Sequence, residues 1–192
     1  MHPKQFKKCE EIFSKFKITG RVLEVGAVPN TNNLLNSSFL DSVKEKIGLN
    51  INGPKKFNDF EILEGNANDM IMFSDEYFEC VLCFSVLEHD KFFWKSISEM
   101  KRVLEKKGLM IIATPTYRNH SLSNILHRIP GTNCFVEIIK KSIITYRVHN
   151  FPGDYYRFSE QTFREIFFDG FTNVIIETIL NPPHAIGYGL KK

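Results

Sequence analysis

The sequence predicts an α/β fold in which a mostly parallel sheet carries helices on both faces. Three observations carry that expectation. Strand-like and helical segments alternate along the chain, the order that parallel β-α-β units require. One strand-like run, "ECVLCFSV" (79–86), is apolar without alternation, as strands covered on both faces are. A length of 192 residues, 43% of them hydrophobic, suits a single domain, 1–192, with one sizeable core.

The elements follow in order. "PKQFKKCEEIFSKFK" (3–17) sets Phe6, Cys9, Ile12, Phe13 and Phe16 on one stripe opposite lysines and glutamates. It reads as an amphipathic helix within the N-terminal segment 1–18, packed on the domain rather than lying on a membrane surface. A first strand, Val22 to Val25, runs into "GAVPNTN", where Asn30 or Thr31 can cap a following helix. A second strand spans Lys46 to Ile51 and is closed by "NGP"; a third lies near Phe60 to Leu63 and a fourth at Phe78 to Phe84. "DKFFWKSISEMKRVLEKKG" is the next helix, with Phe93, Ile97, Met100 and Leu104 at helical spacing. Asp90 can cap its start, Lys106 and Lys107 suit its negative end, and Gly108 can stop it. "GLMIIATP" is a fifth strand. Residues 116–150 interrupt the alternation with two apolar stretches, "SLSNILHRIP" and "FVEIIKKSIITY", around Pro130-Gly131. A helix capped by Ser159, with Phe163, Ile166 and Phe167 inward, and strands in "TNVIIETIL" and "AIGYGL" complete the chain.

Several function classes are disfavoured. The net charge is +3 and no basic stripe interleaves with stacking aromatics, so nucleic acid is not the expected partner. No apolar run reaches the length of a membrane span, and the N-terminus lacks the apolar core of a secretory signal. Cys80 and Cys83 form a C-x-x-C, but residues three apart on a strand point to opposite faces, so they read as core rather than as a redox or metal pair. With Cys9 and Cys134 isolated, a reduced, cytoplasmic protein is expected.

The loop after the first strand is the most informative stretch. A strand, a glycine turn and a helix form the place where open α/β sheets hold adenosine-bearing ligands. A pyrophosphate needs G-x-G-x-x-G so that it can reach bare backbone at a helix N-terminus. Here the stretch reads "GAVPNT": Val28 is branched where close approach is needed, and Pro29 has no N–H to offer an anion. NAD(P) is therefore disfavoured, while an adenosine cofactor without phosphate, such as S-adenosyl-L-methionine, escapes the objection.

"VLEVGA", "GLNING", "EGNANDM", the block "SDEYFECVLCFSVLEHDKFFWKSISEMKRVLEKKGLMIIATP" and "HNFPGDYYRFSEQTFREIFFDGF" together resemble a class I S-adenosylmethionine-dependent methyltransferase. More narrowly, the pattern is similar to small bacterial methyltransferase-domain proteins with a D-Y-Y-R-F helix start. The resemblance spans nearly the whole chain and is most specific from Ser74 to Pro115. It implies a Rossmann-like, seven-stranded, mostly parallel sheet with the last strand antiparallel, and S-adenosyl-L-methionine above the strand ends. By the same resemblance, Glu24, Gly26 and Ala27 would line the methionine end. Asn50 would face the ribose hydroxyls and Ile51 the adenine ring. Asn66 and Ala67 would meet the adenine edge, with Ser85 and Val86 behind the sulfonium. The chain departs from the family at three places: a glycine-rich loop reduced to Gly26, Asn50 in place of an acid, and Asn66 in place of an aspartate. Each lost charge weakens a contact by about 1 kcal/mol. Two such losses amount to roughly tenfold to a hundredfold in affinity.

Methyl transfer from a sulfonium needs alignment above all, and a hydroxyl acceptor also benefits from a base. His89, in "SVLEHD", follows the fourth strand and is the first candidate, with Glu88 beside it as a base or a capping residue. His149 and Tyr156, in "YRVHNFPGDYYRFS", are the others, in a loop whose Tyr146, Arg147, Asp154 and Arg157 suit acceptor binding. The apolar segment 121–144 fits a lid, a packing element or a homodimer contact. The expected activity is methylation of a small-molecule or glycan-type acceptor at oxygen or nitrogen. The alternative is a degenerate methyltransferase fold that binds a ligand or partner without turnover.

Overall fold

The computed structural model describes residues 2–117, 153–179 and 183–192. Eight strands are found among them: β1 (Arg21–Val25), β2 (Glu45–Asn50), β3 (Lys55–Phe57), β4 (Phe60–Glu64), β5 (Phe78–Phe84), β6 (Leu104–Pro115), β7 (Phe171–Ile179) and β8 (His184–Lys191). They form one sheet in the order β3-β4-β2-β1-β5-β6-β8-β7. β1 pairs in parallel with β2 and β5, β2 with β4, and β5 with β6. The last strand, β8, runs antiparallel between β6 and β7. The expected Rossmann-like architecture is thus present. Its one addition is β3, a three-residue edge strand that turns back on β4 through Asn58, whose φ is 54°.

Alternation along the strands sends side chains to two cores. Leu23 and Val25 of β1, with Val81 and Cys83 of β5, face one side. Val22, Cys80 and Leu82 face the other. Cys80 and Cys83 therefore lie on opposite faces of one strand, both buried and free, as their spacing requires. The first core is covered by α2 (Phe93–Val103), which contributes Ile97, Met100 and Val103, and by α3 (Glu160–Thr162), which runs into a π-helical turn (Phe163–Phe167). The second is covered by α1 (Pro3–Phe13) through Cys9, Ile12 and Phe13, and by Leu34, Leu35 and Leu40.

Two local expectations are corrected. No α-helix follows β1; the chain makes 3-10 turns at Leu34–Asn36 and Ser38–Leu40 instead. The reason is local: the Asn30 carboxamide accepts from the Asn32 N–H, Asn33 accepts from Leu35 and donates to the Val28 carbonyl, and Asn36 donates to the Asn30 carbonyl. Asparagines that bond nearby backbone compete with helical bonds. The second correction is at α2, which stops at Val103 because Leu104 already belongs to β6. Gly108 therefore lies within a strand, and Lys101 and Arg102 occupy the last helical turn in place of Lys106 and Lys107. Among the described residues no helix is long and apolar enough to cross a membrane. The apolar segment 121–144 lies outside the described residues.

Candidate active site

The strand order reverses at β1, with β2 on one side and β5 on the other. Loops leaving the carboxyl ends of two such strands diverge and open a crevice. A cleft of about 970 Å³ lies there. Val25, Gly26 and Val28 border it from the end of β1, Leu49 to Asn52 from β2, Gly65 to Asn68 from β4, and Ser85, Val86 and His89 to Phe92 from β5. Its volume is in the range that holds a drug-sized or cofactor-sized molecule. Val28 and Pro29 do not plug it: Val28 is 42% exposed at its rim and Pro29 is exposed.

Gly26 is fixed by geometry. Its φ is +81°, and a Cβ there would collide with Cγ2 of Val86 across the cleft. Ser85, at the opposite wall, also holds a positive φ of 54°, while its N–H donates to the Ala113 carbonyl at 2.9 Å. A serine in that region costs about 1–2 kcal/mol, and such residues cluster at functional sites.

Eight of the sequence-derived candidates meet at this cleft: Gly26, Asn50, Ile51, Asn66, Ala67, Ser85, Val86 and His89. Two cofactor candidates do not border it. Glu24 lies on the far face of β1, 5% exposed, where burial pushes its carboxyl up to about 8 against the opposing pull of the Leu35 and Leu34 amides. Ala27 is wholly buried in the second core, packed over Gly48, and is tied to Asn50 of the cleft through its carbonyl.

Asn50 and Asn66, on the β1, β2 and β4 side of the cleft, are engaged with backbone. Asn50 donates to the Ala27 carbonyl at 2.8 Å and accepts from the Asn52 N–H at 3.0 Å. Its carboxamide thus stitches the end of β1 to the end of β2. The Asn66 oxygen accepts from the Asn68 N–H at 2.9 Å. Asn68 in turn donates to Asp90 at 2.6 Å and to Ser96 at 2.7 Å, tying the β4 loop to the start of α2. Asp90 does not cap α2 as expected. It accepts from the Phe92 N–H at 2.8 Å and from the Ser96 hydroxyl at 2.6 Å, so it closes the turn that precedes the helix.

The β5 side of the cleft is built from two sequence motifs that fold onto each other. β5 ends in a 3-10 turn, Leu87–His89. Across it runs the segment from Gly153 to Arg157: the N–H groups of Tyr155 and Tyr156 both donate to the Glu88 carbonyl, at 2.7 and 3.2 Å. The Tyr156 hydroxyl donates to the Lys91 carbonyl at 3.0 Å, so it is held against this turn. His89 Nδ1 lies 3.3 Å from the Gly153 carbonyl, and Arg157 grips Asp154 through two bonds of 2.5 and 2.6 Å. Phe92 and Tyr155 present half-exposed rings near the mouth, with the Lys91 ammonium 5.5 Å from the Tyr155 ring centre. His149 lies outside the described residues, as do Tyr146 and Arg147.

Glu88 stands out beside these candidates; the sequence offered it as a base or a capping residue and gave no sign of its burial. It is wholly buried, and burial pushes its carboxyl up to about 7; Asp154 adds to the rise, while its own backbone, Arg157 and the Ser85 hydroxyl oppose it. Among the described residues no group of His, Cys, Asp and Glu is arranged to hold a metal ion.

The cleft suits an adenosine group without phosphate. The loop after β1 offers no α-helix N-terminus, and Pro29 removes one of its N–H donors. Residues 32–112 match the family model described as a methyltransferase domain. No curated protein sequence matches the chain. Among solved structures, a SAM-dependent methyltransferase from Archaeoglobus fulgidus is similar at 15% identity, covering 97% of this chain and 93% of that one, with a TM-score of 0.66. The N-methyltransferase NodS from Bradyrhizobium japonicum, in complex with S-adenosyl-L-homocysteine, is similar at 9% identity over 98% and 86% of the two chains, with a TM-score of 0.62. Phosphoethanolamine N-methyltransferase 2 from Haemonchus contortus, in complex with S-adenosyl-L-methionine, is similar at 12% identity over 98% of this chain and 52% of that one, with a TM-score of 0.62. At such identities the likeness is one of fold, and the family model adds the domain type. The strand order, the cleft at its reversal and the match of residues 32–112 to a methyltransferase domain agree on a Rossmann-like methyltransferase fold.

Proposed function

We propose that the protein transfers a methyl group from S-adenosylmethionine to an oxygen or nitrogen of a small-molecule or glycan-type acceptor. The observation that carries this reading is the continuity of the cleft from the neutral, asparagine-lined half to the half bordered by His89, Lys91 and Phe92. Gly26, Ile51, Asn66 and Ala67 would hold the adenosine and methionine parts, with Asn50 supporting them through the Ala27 carbonyl. Ser85 and Val86 would lie behind the sulfur. Glu24 and Ala27, away from the cleft, would support the loop rather than touch the cofactor. His89 is the favoured proton acceptor, with Tyr156 holding the turn beside it and His149 a further candidate. S-adenosylmethionine supplies, when bound, an electrophilic methyl on a sulfur that leaves as a neutral thioether. The chain's work is to align the acceptor and take its proton. The buried, unpaired thiols of Cys9, Cys80 and Cys83 suit a reduced, cytoplasmic setting.

Asn50 favours a second reading, a fold that binds without turnover, because both polar ends of its side chain are already bonded to backbone. Calorimetric titration with S-adenosylmethionine and S-adenosylhomocysteine separates the two: binding supports the enzyme, and no heat at millimolar ligand supports the second reading. Labelled-cofactor screening against metabolite and sugar-nucleotide pools then finds the acceptor.

A further inference from the structure

We propose that Glu88 and His89 hold one proton between them, Glu88 serving as the positioning residue that prepares His89 to take the proton shed by the methyl acceptor. This rests on the methyl-transfer reading above. Glu88 is 0% exposed, and neither carboxylate oxygen has a hydrogen bond of good geometry among the described residues. A charged carboxylate left so costs several kcal/mol, which packing alone does not explain, since a leucine would fill the space more cheaply. Its place is specific: the turn Leu87–His89, at the carboxyl end of β5, where the Ser85 and Val86 wall of the cleft ends.

His89 supplies the link. Its Nε2 lies 3.9 Å from Glu88 Oε1 and its Nδ1 3.3 Å from the Gly153 carbonyl. A carbonyl can only accept, so Nδ1 carries a hydrogen and the neutral ring keeps its lone pair on Nε2. A lone pair facing a carboxylate is unfavourable, and one proton resting on Glu88 removes the conflict and leaves Nε2 able to accept. Among the described residues, the other groups that bear on Glu88 are Asp154, Arg157, Ser85 and the Cys83 thiol. Asp154 and Arg157 are bonded to each other and act on Glu88 in opposite directions. Burial then leaves Glu88 close to half-protonated at neutral pH, where a proton moves to or from its neighbour with little cost.

His89 borders the cleft and Glu88 does not, so Glu88 acts only through the ring. In the step, the hydrogen on the acceptor heteroatom passes to His89 Nε2 as that heteroatom's electron pair bonds to the methyl carbon. The sulfur keeps the pair of the broken bond. The proton the pair held at rest stays on Glu88, so the pair then carries two protons, and the imidazolium returns to neutral by releasing one to solvent.

The pair is tested without knowing the acceptor. Protein labelled at histidine is titrated through neutral pH and the His89 ring followed by NMR, in the natural protein and in Glu88→Gln. The expected result is an Nδ1–H tautomer, and a titration midpoint that falls by about one pH unit in Glu88→Gln and less in Glu88→Asp. An Nε2–H tautomer, or equal midpoints in the natural protein and Glu88→Gln, overturns the proposal. If Glu88→Gln does not fold, the Glu88 carboxyl is followed by carbon NMR in His89→Gln: a raised midpoint supports the pair and an unchanged one overturns it. Calorimetry with S-adenosylmethionine runs in parallel. Absence of binding to the natural protein ends the methyl-transfer reading, whatever the ring titration says of the pair.

Discussion

The two halves of the cleft solve different physical problems with different residues. The half formed by β1, β2 and β4 uses asparagines, and the bonds of Asn50, with the Oδ1 bond of Asn66, run to the protein's own backbone. The half bordered by Ser85, Val86 and His89 to Phe92, with the Gly153–Arg157 segment packed on the Glu88 turn, uses titratable groups: His89 at the cleft and Glu88, Asp154 and Arg157 behind it. Neutral carboxamides hold loops in shape and remain insensitive to pH and salt. Buried ionisable groups are costly and respond to protons, which is where proton chemistry is expected. Shape belongs to one half and reactivity to the other.

The largest effect that could break this division is at Gly26. Gly26→Val forces a branched residue to φ +81° and drives its Cβ into Val86. S-adenosylmethionine affinity should fall by at least about a hundredfold, from a cost of several kcal/mol at the cleft wall. Retained affinity by calorimetry would place the ligand elsewhere.

Stability against pH comes next. The carboxyls of Glu24 and Glu88 are pushed up to about 8 and about 7 by burial, from an ordinary 4.5. Both favour the folded state fully below the ordinary value, and that contribution is lost as pH rises towards the folded values. Each should remove stability at about 1.4 kcal/mol per pH unit over its window. Denaturant midpoints should therefore fall from pH 5 to pH 8. Glu24→Gln should flatten the part of the slope that extends above pH 7; an unchanged slope would show that this carboxyl is ionised in the fold.

A smaller effect separates two asparagines that look alike in sequence. Asn66→Asp keeps the bond accepted from the Asn68 N–H and adds charge at the cleft. It should raise cofactor affinity by up to about tenfold. Asn50→Asp removes the donor to the Ala27 carbonyl and sets a carboxylate against that oxygen, so it should lower stability by about 1–3 kcal/mol. Equal behaviour of the two in calorimetry and thermal melts would contradict their assigned environments. The smallest effect is expected at Tyr156→Phe, which loses one bond to the Lys91 carbonyl at about 1 kcal/mol. A much larger loss of methyl transfer than of stability would give Tyr156 a direct part in the chemistry.

The sheet was legible because its signals are local. "ECVLCFSV" could only be a strand covered on both faces, and the opposite placement of Cys80 and Cys83 follows from a period of two. The missing helix after β1 was also written in the sequence: "NTNN" and the asparagine at 36 signal local backbone bonding, which caps alone do not reveal. The early end of α2 was not legible. Leu104 fits the helical stripe, and its transfer to β6 is decided by pairing with Phe78. Eight of the residues that border the cleft could be named, seven of them through the family resemblance and His89 from its place after the fourth strand. Glu24 and Ala27 could not be placed, since which face of a short strand meets the ligand is a tertiary fact. Glu88 was read beside His89, but its burial arises only when Gly153–Arg157 folds over the turn.

The 3-10 turns after β1 bear on which molecules contend for the cleft. ATP and the nicotinamide dinucleotides share the adenosine group and are abundant in cells, but their phosphates need a row of amides with a helix behind it. A loop interrupted by Pro29 and followed by Leu34–Asn36 gives them no such anchor. Their adenosine would bind with its charged tail unsupported, so S-adenosylmethionine would face little competition from these abundant nucleotides.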